Sequence, residues 1–266
     1  MLTLAERIRQ TQVQKDEVAI FWLAQAGFVF KSAAGRIVYL DPYLSDVVER
    51  MFGFKRMMTA PVRAEDVAAD TVLCTHEHLD HMDTDALPVI ARNTQARFAG
   101  PVECMKEFAN LGIPSERCVL LERGRTEEID GLRVTGVYAD HGDYAPDALG
   151  LVIEMDGIRI YHTGDTAYRG EQMRAAVAMQ PDVVIPCING AFGNMDSHDA
   201  AQLVRDAAPR LAIASHFWMF IEHGGDPAAF LNECKTLAPG TEAIVMQPGE
   251  MRVVARMTRS GTGAQA

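Results

Sequence analysis

The chain has 266 residues, of which 48% are hydrophobic, 7% aromatic and 23% charged, as in an ordinary folded globular protein. This composition excludes a disordered, collagen-like or coiled-coil chain. The mean hydropathy of -0.03, and the lack of an apolar run near the ~20 residues that a bilayer span needs, exclude a membrane helix from the sequence. We therefore expect a soluble protein.

The net charge is strongly negative, with 25 Lys and Arg against 36 Asp and Glu and a total of -11. Such an excess repels phosphate backbones and anionic lipid surfaces, so it disfavours long nucleic acid and membranes as partners. A small anionic substrate remains compatible with the sequence, because one site can be locally positive although the whole protein is negative. The five cysteines form no C-x-x-C pair, which predicts a reducing, cytoplasmic location.

The predicted strands and helices follow a similar order in the two halves of the chain. In the first half, apolar β-rich runs predict strands at 18–23, 27–30, 36–40 and 71–75, followed by a helix at 102–111. The second half has predicted strands at 132–138, 150–155, 158–162, 183–187, 211–215, 243–247 and 252–255, with helices at 171–179, at 197–208 and from 227. Ser197 and Asp226 are the predicted N-caps of the last two helices.

No linker rich in Pro, Gly or Ser separates these halves, so we predict one domain over 1–266 with similar halves at about 17–120 and 127–255. Strands that alternate with helices indicate an α/β protein. We expect mixed sheets in the middle of the domain and helices on the outside.

The strongest functional signal is the segment THEHLDH at 75–81, which contains the pattern H-x-H-x-D-H. With eight histidines in the chain, chance would produce this pattern about 5 × 10⁻⁴ times. Residues two apart in an extended segment point to the same side, so His76 and His78 can converge on one metal ion. Asp80 and His81 can then reach a second position nearby. Imidazole and carboxylate ligands suit a divalent ion such as Zn²⁺, Mn²⁺ or Fe²⁺.

Three further candidates each follow a predicted strand, at the edge of a sheet where loops gather. They are His141, Asp165 within the turn segment HTGDT, and His216. Each alone is compatible with an ordinary loop residue, but the repeated order of strand and then ligand favours metal binding. The histidines outside this pattern are His162, His198 and His223.

The succession of H-x-H-x-D-H, a later His, G-D-T and a final His resembles the metallo-β-lactamase-fold hydrolases. That resemblance implies a four-layer αβ/βα sandwich, with two mixed sheets and helices on the outer faces. It also implies one or two divalent ions, Zn²⁺ or Mn²⁺, bound by seven side chains. The first ion would be held by His76, His78 and His141, the second by Asp80, His81 and His216, and Asp165 would bridge both.

Within that superfamily the chain most closely resembles L-ascorbate-6-phosphate lactonase and its relatives. The segments that carry this resemblance are WLAQAGF at 22–28, DPYLSD at 41–46, NGAFGNMD at 189–196 and SHFWMF at 215–220. Together with the metal motifs, the similarity spans 18–250. Two positions depart from it, since Ala24 stands where relatives commonly have Gly, and Trp218 where an acidic or small residue is common.

Further roles follow from the resemblance and from position in the chain. Asp80 and Asp165 would orient the attacking water and pass its proton to the leaving oxygen. Asp41 would fix the tautomer of a metal-ligating His, or simply form an Asp-Pro turn. The candidate substrate contacts are Gln25, Asn194, Arg169 and Trp218. The alternatives for the last three are a glycine-rich turn, a surface arginine and core packing.

We predict a metal-dependent hydrolase that uses a metal-bound hydroxide to open a lactone or ester of a small anionic metabolite, phosphorylated ones included. The alternatives are a phosphodiesterase acting on cyclic nucleotides or short RNA, and a non-catalytic metal-binding protein. All seven predicted ligands are present, so the sequence carries no sign of lost activity. Relatives of the lactonase form oligomers, so a homo-oligomer stays open.

Overall fold

The structure is a computed structural model that describes residues 2–256. Within this range the chain forms fourteen strands and seven α-helices. The helices are α1 (Leu4–Gln10), α2 (Val47–Phe52), α3 (Ala86–Asn93), α4 (Val102–Asn110), α5 (Arg174–Ala178), α6 (Ser197–Ala207) and α7 (Pro227–Leu237). None of these helices is long and apolar enough to cross a bilayer. The five cysteines, all within the described range, are free.

The strands form two sheets of seven. In chain order they are β1 (Glu17–Trp22), β2 (Phe28–Ser32), β3 (Ile37–Leu40), β4 (Thr71–Leu73), β5 (Arg97–Gly100), β6 (Cys118–Leu120), β7 (Thr126–Ile129), β8 (Leu132–Tyr138), β9 (Leu149–Met155), β10 (Ile158–His162), β11 (Val183–Ile185), β12 (Leu211–Ile213), β13 (Glu242–Ile244) and β14 (Met251–Ala255). The first sheet has the order β14-β1-β2-β3-β4-β5-β6, and the second has the order β13-β12-β11-β10-β9-β8-β7.

Both sheets are mixed and share one pairing pattern. In the first, β14 to β3 pair antiparallel and β3 to β6 pair parallel. In the second, β7 to β10 pair antiparallel and β10 to β13 pair parallel. The predicted second half, 127–255, is therefore wrong at its end. Strand β14 returns to the first sheet, because it supplies the hydrogen bonds that the free edge of β1 would otherwise lack.

The main core lies between the two sheets. Val18 and Ile20 of β1 belong to one buried cluster with Ile153 of β9. Ala19 and Phe21 point to the opposite face, in a second buried cluster with residues of α1, α3 and α4. Because side chains alternate along a strand, β1 is buried on both faces. The predicted fold class, two mixed sheets with helices on their outer faces, is confirmed.

Two predicted boundaries change for reasons of hydrogen bonding. Strand β4 ends at Leu73 rather than at 75, because the backbone N–H of Thr75 donates to Asp41 Oδ1 instead of to a strand partner. The N-cap of α6 is Asp196 and not Ser197, since the Asp196 carboxylate accepts the first free N–H groups of the helix. Asp226 caps α7 as the sequence predicts.

Candidate metal centre

The predicted ligands lie in loops that follow the carboxyl ends of strands from both sheets. His76 follows β4 in the first sheet, whereas Asp165 and His216 follow β10 and β12 in the second. One loop depends on a glycine. Gly164 has φ +60°, and a Cβ at this position would lie 2.7 Å from the Leu149 carbonyl oxygen. Glycine therefore lets the chain turn tightly enough to deliver Asp165 to the site.

Three histidines form the first donor set. His76 Nε2 lies 3.0 Å from His78 Nδ1, and the His78 and His141 ring centroids are 5.0 Å apart. One nitrogen of each ring lies within 4.8 Å of the others. The structure therefore brings together the three residues that the resemblance assigned to a first metal ion.

Asp80, His81 and His216 form the second donor set. The Nε2 atoms of His81 and His216 are 3.1 Å apart, and Asp80 Oδ2 lies 3.4 Å from His216 Nε2 and 3.7 Å from His81 Nε2. Asp165 reaches both sets. Its Oδ1 is 3.3 Å from His81 Nε2, and its Oδ2 is 3.8 Å from His141 Nε2.

Asp41 lies behind His81. Its Oδ2 accepts a hydrogen bond from His81 Nδ1 over 2.8 Å and another from the Thr75 hydroxyl over 2.7 Å. A proton on Nδ1 leaves Nε2 of His81 free to bind a metal ion. The carboxylate thus occupies the position that the sequence analysis gave it.

Two buried amides hold the carboxylates of the donor sets. Gln25 Nε2 donates to Asp80 Oδ2 over 2.7 Å, and Asn194 Nδ2 donates to Asp165 Oδ2 over 2.7 Å. Both amides were predicted as substrate contacts. Their observed partners indicate instead that they orient the two acids.

Burial and charge set the protonation states of the centre. Burial lowers the pKa of His76 well below its usual range and that of His141 to about 4, so both rings are neutral at pH 7. Burial also disfavours charge on His81, but surrounding carboxylates, led by Asp165, raise its pKa well above the usual range. Burial would raise the pKa of Asp165, yet neighbouring imidazoles, led by His216, hold it well below the usual range. Asp165 is therefore ionised and requires cations close by.

The residues fit divalent metal ions. Ring nitrogens only about 3 Å apart, as in the His81 and His216 pair, repel each other unless a proton or a cation lies between them. Asp165 Oδ1 is buried and has no hydrogen-bond partner among the described residues. A metal ion would satisfy both demands, and neutral imidazoles with carboxylates are ligands that Zn²⁺ and Mn²⁺ accept.

Residues 19–216 match the beta-lactamase superfamily domain. A UPF0173 metal-dependent hydrolase of Herpetosiphon aurantiacus is 30% identical over 241 residues, which cover 87% of this chain and 95% of that relative. This chain belongs to the UPF0173 metal-dependent hydrolase family. Another member, from Archaeoglobus fulgidus, is 28% identical over 242 residues, covering 87% of this chain and 96% of that protein. The prediction of a metal-dependent hydrolase is confirmed, whereas the closer likeness to L-ascorbate-6-phosphate lactonase stays a prediction.

Solved structures share the fold of this UPF0173 hydrolase. Igni18, a metallo hydrolase from Ignicoccus hospitalis, superposes with a TM-score of 0.72 at 24% identity, covering 91% of this chain and 100% of that one. The isothiocyanate hydrolase from Delia radicum gut bacteria gives 0.72 at 20% identity, covering 89% of this chain and 99% of that one. The two mixed sheets are therefore those of the metallo-β-lactamase fold.

His223, which the sequence analysis left outside the ligand pattern, lies in the metal centre of the UPF0173 hydrolase. Its ring stacks on His216 with centroids 4.9 Å apart, and its Nδ1 lies 3.1 Å from Gln25 Nε2. It could join Asp80 and His216 in a third donor set. The backbone N–H of Trp218 donates to the Gly224 carbonyl and closes the loop that returns the chain to the site. The glycine pair after His223 was the available signal for this turn.

A cleft of about 430 Å³ exposes the donor sets of the UPF0173 hydrolase. His78, Asp80, His141 and Asp165 contribute to its lining, together with Glu77 and His223. The remaining lining side chains are apolar or aromatic, and they are Val48, Phe52, Phe54, Leu79, Tyr144 and Phe192. No Lys or Arg belongs to the described lining of this cleft.

The other two predicted substrate contacts are held elsewhere. Trp218 is half exposed, and its indole N–H donates to the Gly225 carbonyl over 2.9 Å. Arg169 lines a neighbouring recess, where its Nε donates to Asp140 Oδ2 over 2.7 Å. The structure therefore does not bring either side chain to the cleft of the UPF0173 hydrolase.

Proposed function

We propose that this hydrolase opens a carboxylic ester or a lactone, with Zn²⁺ or Mn²⁺ held by the seven predicted ligands. The position of Asp165 supports this most, because its two oxygens approach His81 Nε2 in one donor set and His141 Nε2 in the other. A carboxylate shared between two donor sets suits a pair of ions acting on one substrate. The cytoplasmic location and any self-association stay predictions.

Bound metal ions would polarise the substrate carbonyl and make water a better nucleophile. Asp80 lines the cleft, and the Gln25 amide fixes its carboxylate, so it is placed to accept a proton from the attacking water. Water adds to the carbonyl carbon, the bond from that carbon to the leaving oxygen breaks, and Asp80 delivers the proton to that oxygen. The products are an acid and an alcohol, which stay in one molecule when the substrate is a lactone.

The two earlier alternatives receive less support. A phosphodiester keeps a negative charge that, besides the metal ions, only a cationic side chain could pair with, and the described lining of the cleft has no Lys or Arg. A purely metal-binding role leaves unexplained why a cleft with an apolar wall gives a small molecule access to the donor sets.

A second candidate substrate class is the isothiocyanates. One structural neighbour is named an isothiocyanate hydrolase. The apolar cleft wall favours an uncharged electrophile of this kind, since such a compound needs only attack by water at its central carbon. The ester or lactone remains the first candidate because its cleavage produces a negatively charged leaving oxygen. Metal ions in the paired donor sets would stabilise this charge, and Asp80 can deliver a proton to the oxygen.

The test is an assay of the purified protein loaded with Zn²⁺ or Mn²⁺. The substrates are a methyl ester, γ-butyrolactone, L-ascorbate-6-phosphate, 2′,3′-cyclic AMP and phenethyl isothiocyanate. We expect ester or lactone hydrolysis that falls about 10³-fold in Asp80→Asn. The matched control is Asp85→Asn, because Asp85 forms an exposed ion pair with Arg50. Turnover of the cyclic nucleotide or the isothiocyanate alone would contradict the proposal.

A further inference from the structure

We infer that the substrate is uncharged and carries an aromatic ring or a similar apolar group, which packs against Phe52, Phe54, Phe192 and Tyr144. We call these four side chains the aromatic wall. The inference rests on the proposed function, since it assigns a substrate class to the same cleft. It replaces the small anionic metabolite that the sequence analysis expected.

The aromatic wall is continuous and leads to the donor sets. Ring centroids are 6.5 Å apart for Phe52 and Phe54, 6.4 Å for Phe54 and Phe192, and 6.4 Å for Phe192 and Tyr144. Tyr144 in turn lies 5.6 Å from the ring of His141, a member of the first donor set. A substrate whose carbonyl lies at the donor sets therefore has its remaining part against aromatic rings.

Much of this wall is exposed in the protein alone. Phe52 is 63% exposed, Tyr144 60% and Phe192 40%. Contiguous exposed aromatic surface at a cleft marks a binding site, because covering it with an apolar group removes it from water.

The backbone conformation of Phe192 also indicates a functional role for its side chain. Its φ is +54°, a conformation that bulky residues rarely adopt. The neighbouring Asn194 N–H donates to the Ala191 carbonyl, so Phe192 occupies a turn in which glycine would be unstrained. Strain of this kind collects at functional sites, where the side chain that it positions has a role.

Away from the donor sets, the described cleft offers no cationic side chain to an anionic group of a substrate. Glu77, Asp80 and Asp165 line it, and the described lining contains no cationic side chain. The nearby guanidinium groups are engaged elsewhere. Arg169 donates to Asp140, and Arg56 donates to backbone carbonyls and stacks on the Tyr43 ring. A phosphate or carboxylate that packs against the aromatic wall would thus find no cationic partner in the described lining of the cleft.

Two matched pairs of compounds test this inference. Methyl 3-phenylpropanoate and monomethyl succinate carry the same methyl ester, but one ends in a phenyl ring and the other in a carboxylate. The methyl ketones 4-phenyl-2-butanone and levulinate differ in the same way and cannot be hydrolysed. Ester turnover is measured as kcat/KM with the metal-loaded protein, and ketone binding is measured by calorimetry.

We expect kcat/KM to be at least about tenfold higher for the phenyl ester, and detectable binding of the phenyl ketone alone. The double variant Phe52→Ala, Phe192→Ala should lower the phenyl ester value about tenfold and lower the value for monomethyl succinate by a smaller factor. Phe52→Arg should raise the value for monomethyl succinate. Leu231→Ala, which removes an exposed side chain of α7 outside the cleft, is the control and should change neither ester.

The ketones separate the two possible failures. If neither ester is hydrolysed but the phenyl ketone binds and levulinate does not, the inference stands and the proposed reaction fails. If monomethyl succinate is the better substrate, or levulinate binds more tightly, the inference is overturned while ester hydrolysis survives. Absence of phenyl ketone binding in the folded, metal-loaded protein also overturns it.

Discussion

The carboxylate of Asp41 accepts a hydrogen bond from Nδ1 of His81 over 2.8 Å, and both side chains are fully buried. The same carboxylate accepts hydrogen bonds from the backbone N–H and the hydroxyl of Thr75. Asp41 therefore fixes both the ring orientation of His81 and the start of the loop that carries His76 and His78.

We expect Asp41→Asn to weaken metal affinity about 10- to 100-fold, the range typical of such outer partners of a metal-ligating histidine. The neutral amide no longer favours a proton on Nδ1 of His81, so Nε2 becomes a poorer ligand. Competition with a coloured chelator measures the affinity. Asp85→Asn, at an exposed ion pair, should bind metal as the wild type does. Equal affinities for Asp41→Asn and the wild type would show that Asp41 only forms a turn.

Gly164→Ala should destabilise the protein and disturb Asp165. A Cβ at residue 164 would lie 2.7 Å from the Leu149 carbonyl oxygen, and the backbone there has φ +60°. We expect a loss of about 2–4 kcal/mol in the free energy of unfolding, together with weaker metal binding. Thermal and denaturant unfolding measure the first effect, and chelator competition measures the second.

The control for this glycine is Gly240→Ala. A Cβ at residue 240 meets no atom within 4 Å, and the φ of Gly240 is not in the left-handed region. This variant should unfold within about 0.5 kcal/mol of the wild type. If both substitutions have the same effect, the tight approach at Gly164 is not what positions Asp165.

His162 should make the stability of the metal-free protein depend on pH. Burial lowers the pKa of His162 to about 4, against 6.5 for an exposed histidine. Its Nδ1 accepts the Gly164 N–H, and its Nε2 lies 3.1 Å from the Ala26 carbonyl, so the ring is neutral with one proton on Nε2. Between these two pKa values the unfolded chain binds a proton that the folded protein does not bind. The stabilisation is therefore complete above pH 6.5 and is lost as the pH falls towards 4.

The measurement is the free energy of unfolding in the presence of a chelator, at several values between pH 7 and pH 4. The wild type should lose on the order of 3 kcal/mol more than His162→Gln over this interval. His198→Gln removes an imidazole paired with Glu233 at the surface and should not flatten the wild-type pH dependence. Identical slopes for His162→Gln and the wild type would contradict the buried neutral state of His162.

The ligand loops could be predicted because the candidate ligands follow closely after apolar runs that have the pattern of a strand. The predicted strands 132–138 and 158–162 agree with β8 and β10, and the residues that follow them, His141 and Asp165, lie at the donor sets. An apolar run that ends in a polar turn predicts both a strand and the side of the sheet where its loop lies. The seven predicted ligands therefore lie close together in the structure, and their binding of metal ions stays a prediction.

Other features depend on contacts between distant parts of the chain. Strand β5 and helix α3 were not predicted, since four residues beginning with Arg and ending with Gly show no alternation, and α3 contains Pro88. The pairing of β14 with β1 and the contact of His223 with Gln25 each join residues that are far apart in the sequence. The hydrogen bond from Arg169 to Asp140, 29 residues earlier, also leaves no local signal, so the sequence predicted a substrate contact for Arg169.

Metal content tests the central claim most directly. The purified protein, equilibrated with Zn²⁺ or Mn²⁺ and freed of loosely bound ions, should contain about two equivalents by elemental analysis, one for each donor set. The double variant His76→Ala, His78→Ala should lose about one of them, while His198→Ala, at an exposed position, should lose none. Less than one equivalent in the intact protein, or unchanged content in the double variant, would contradict the metal centre described above.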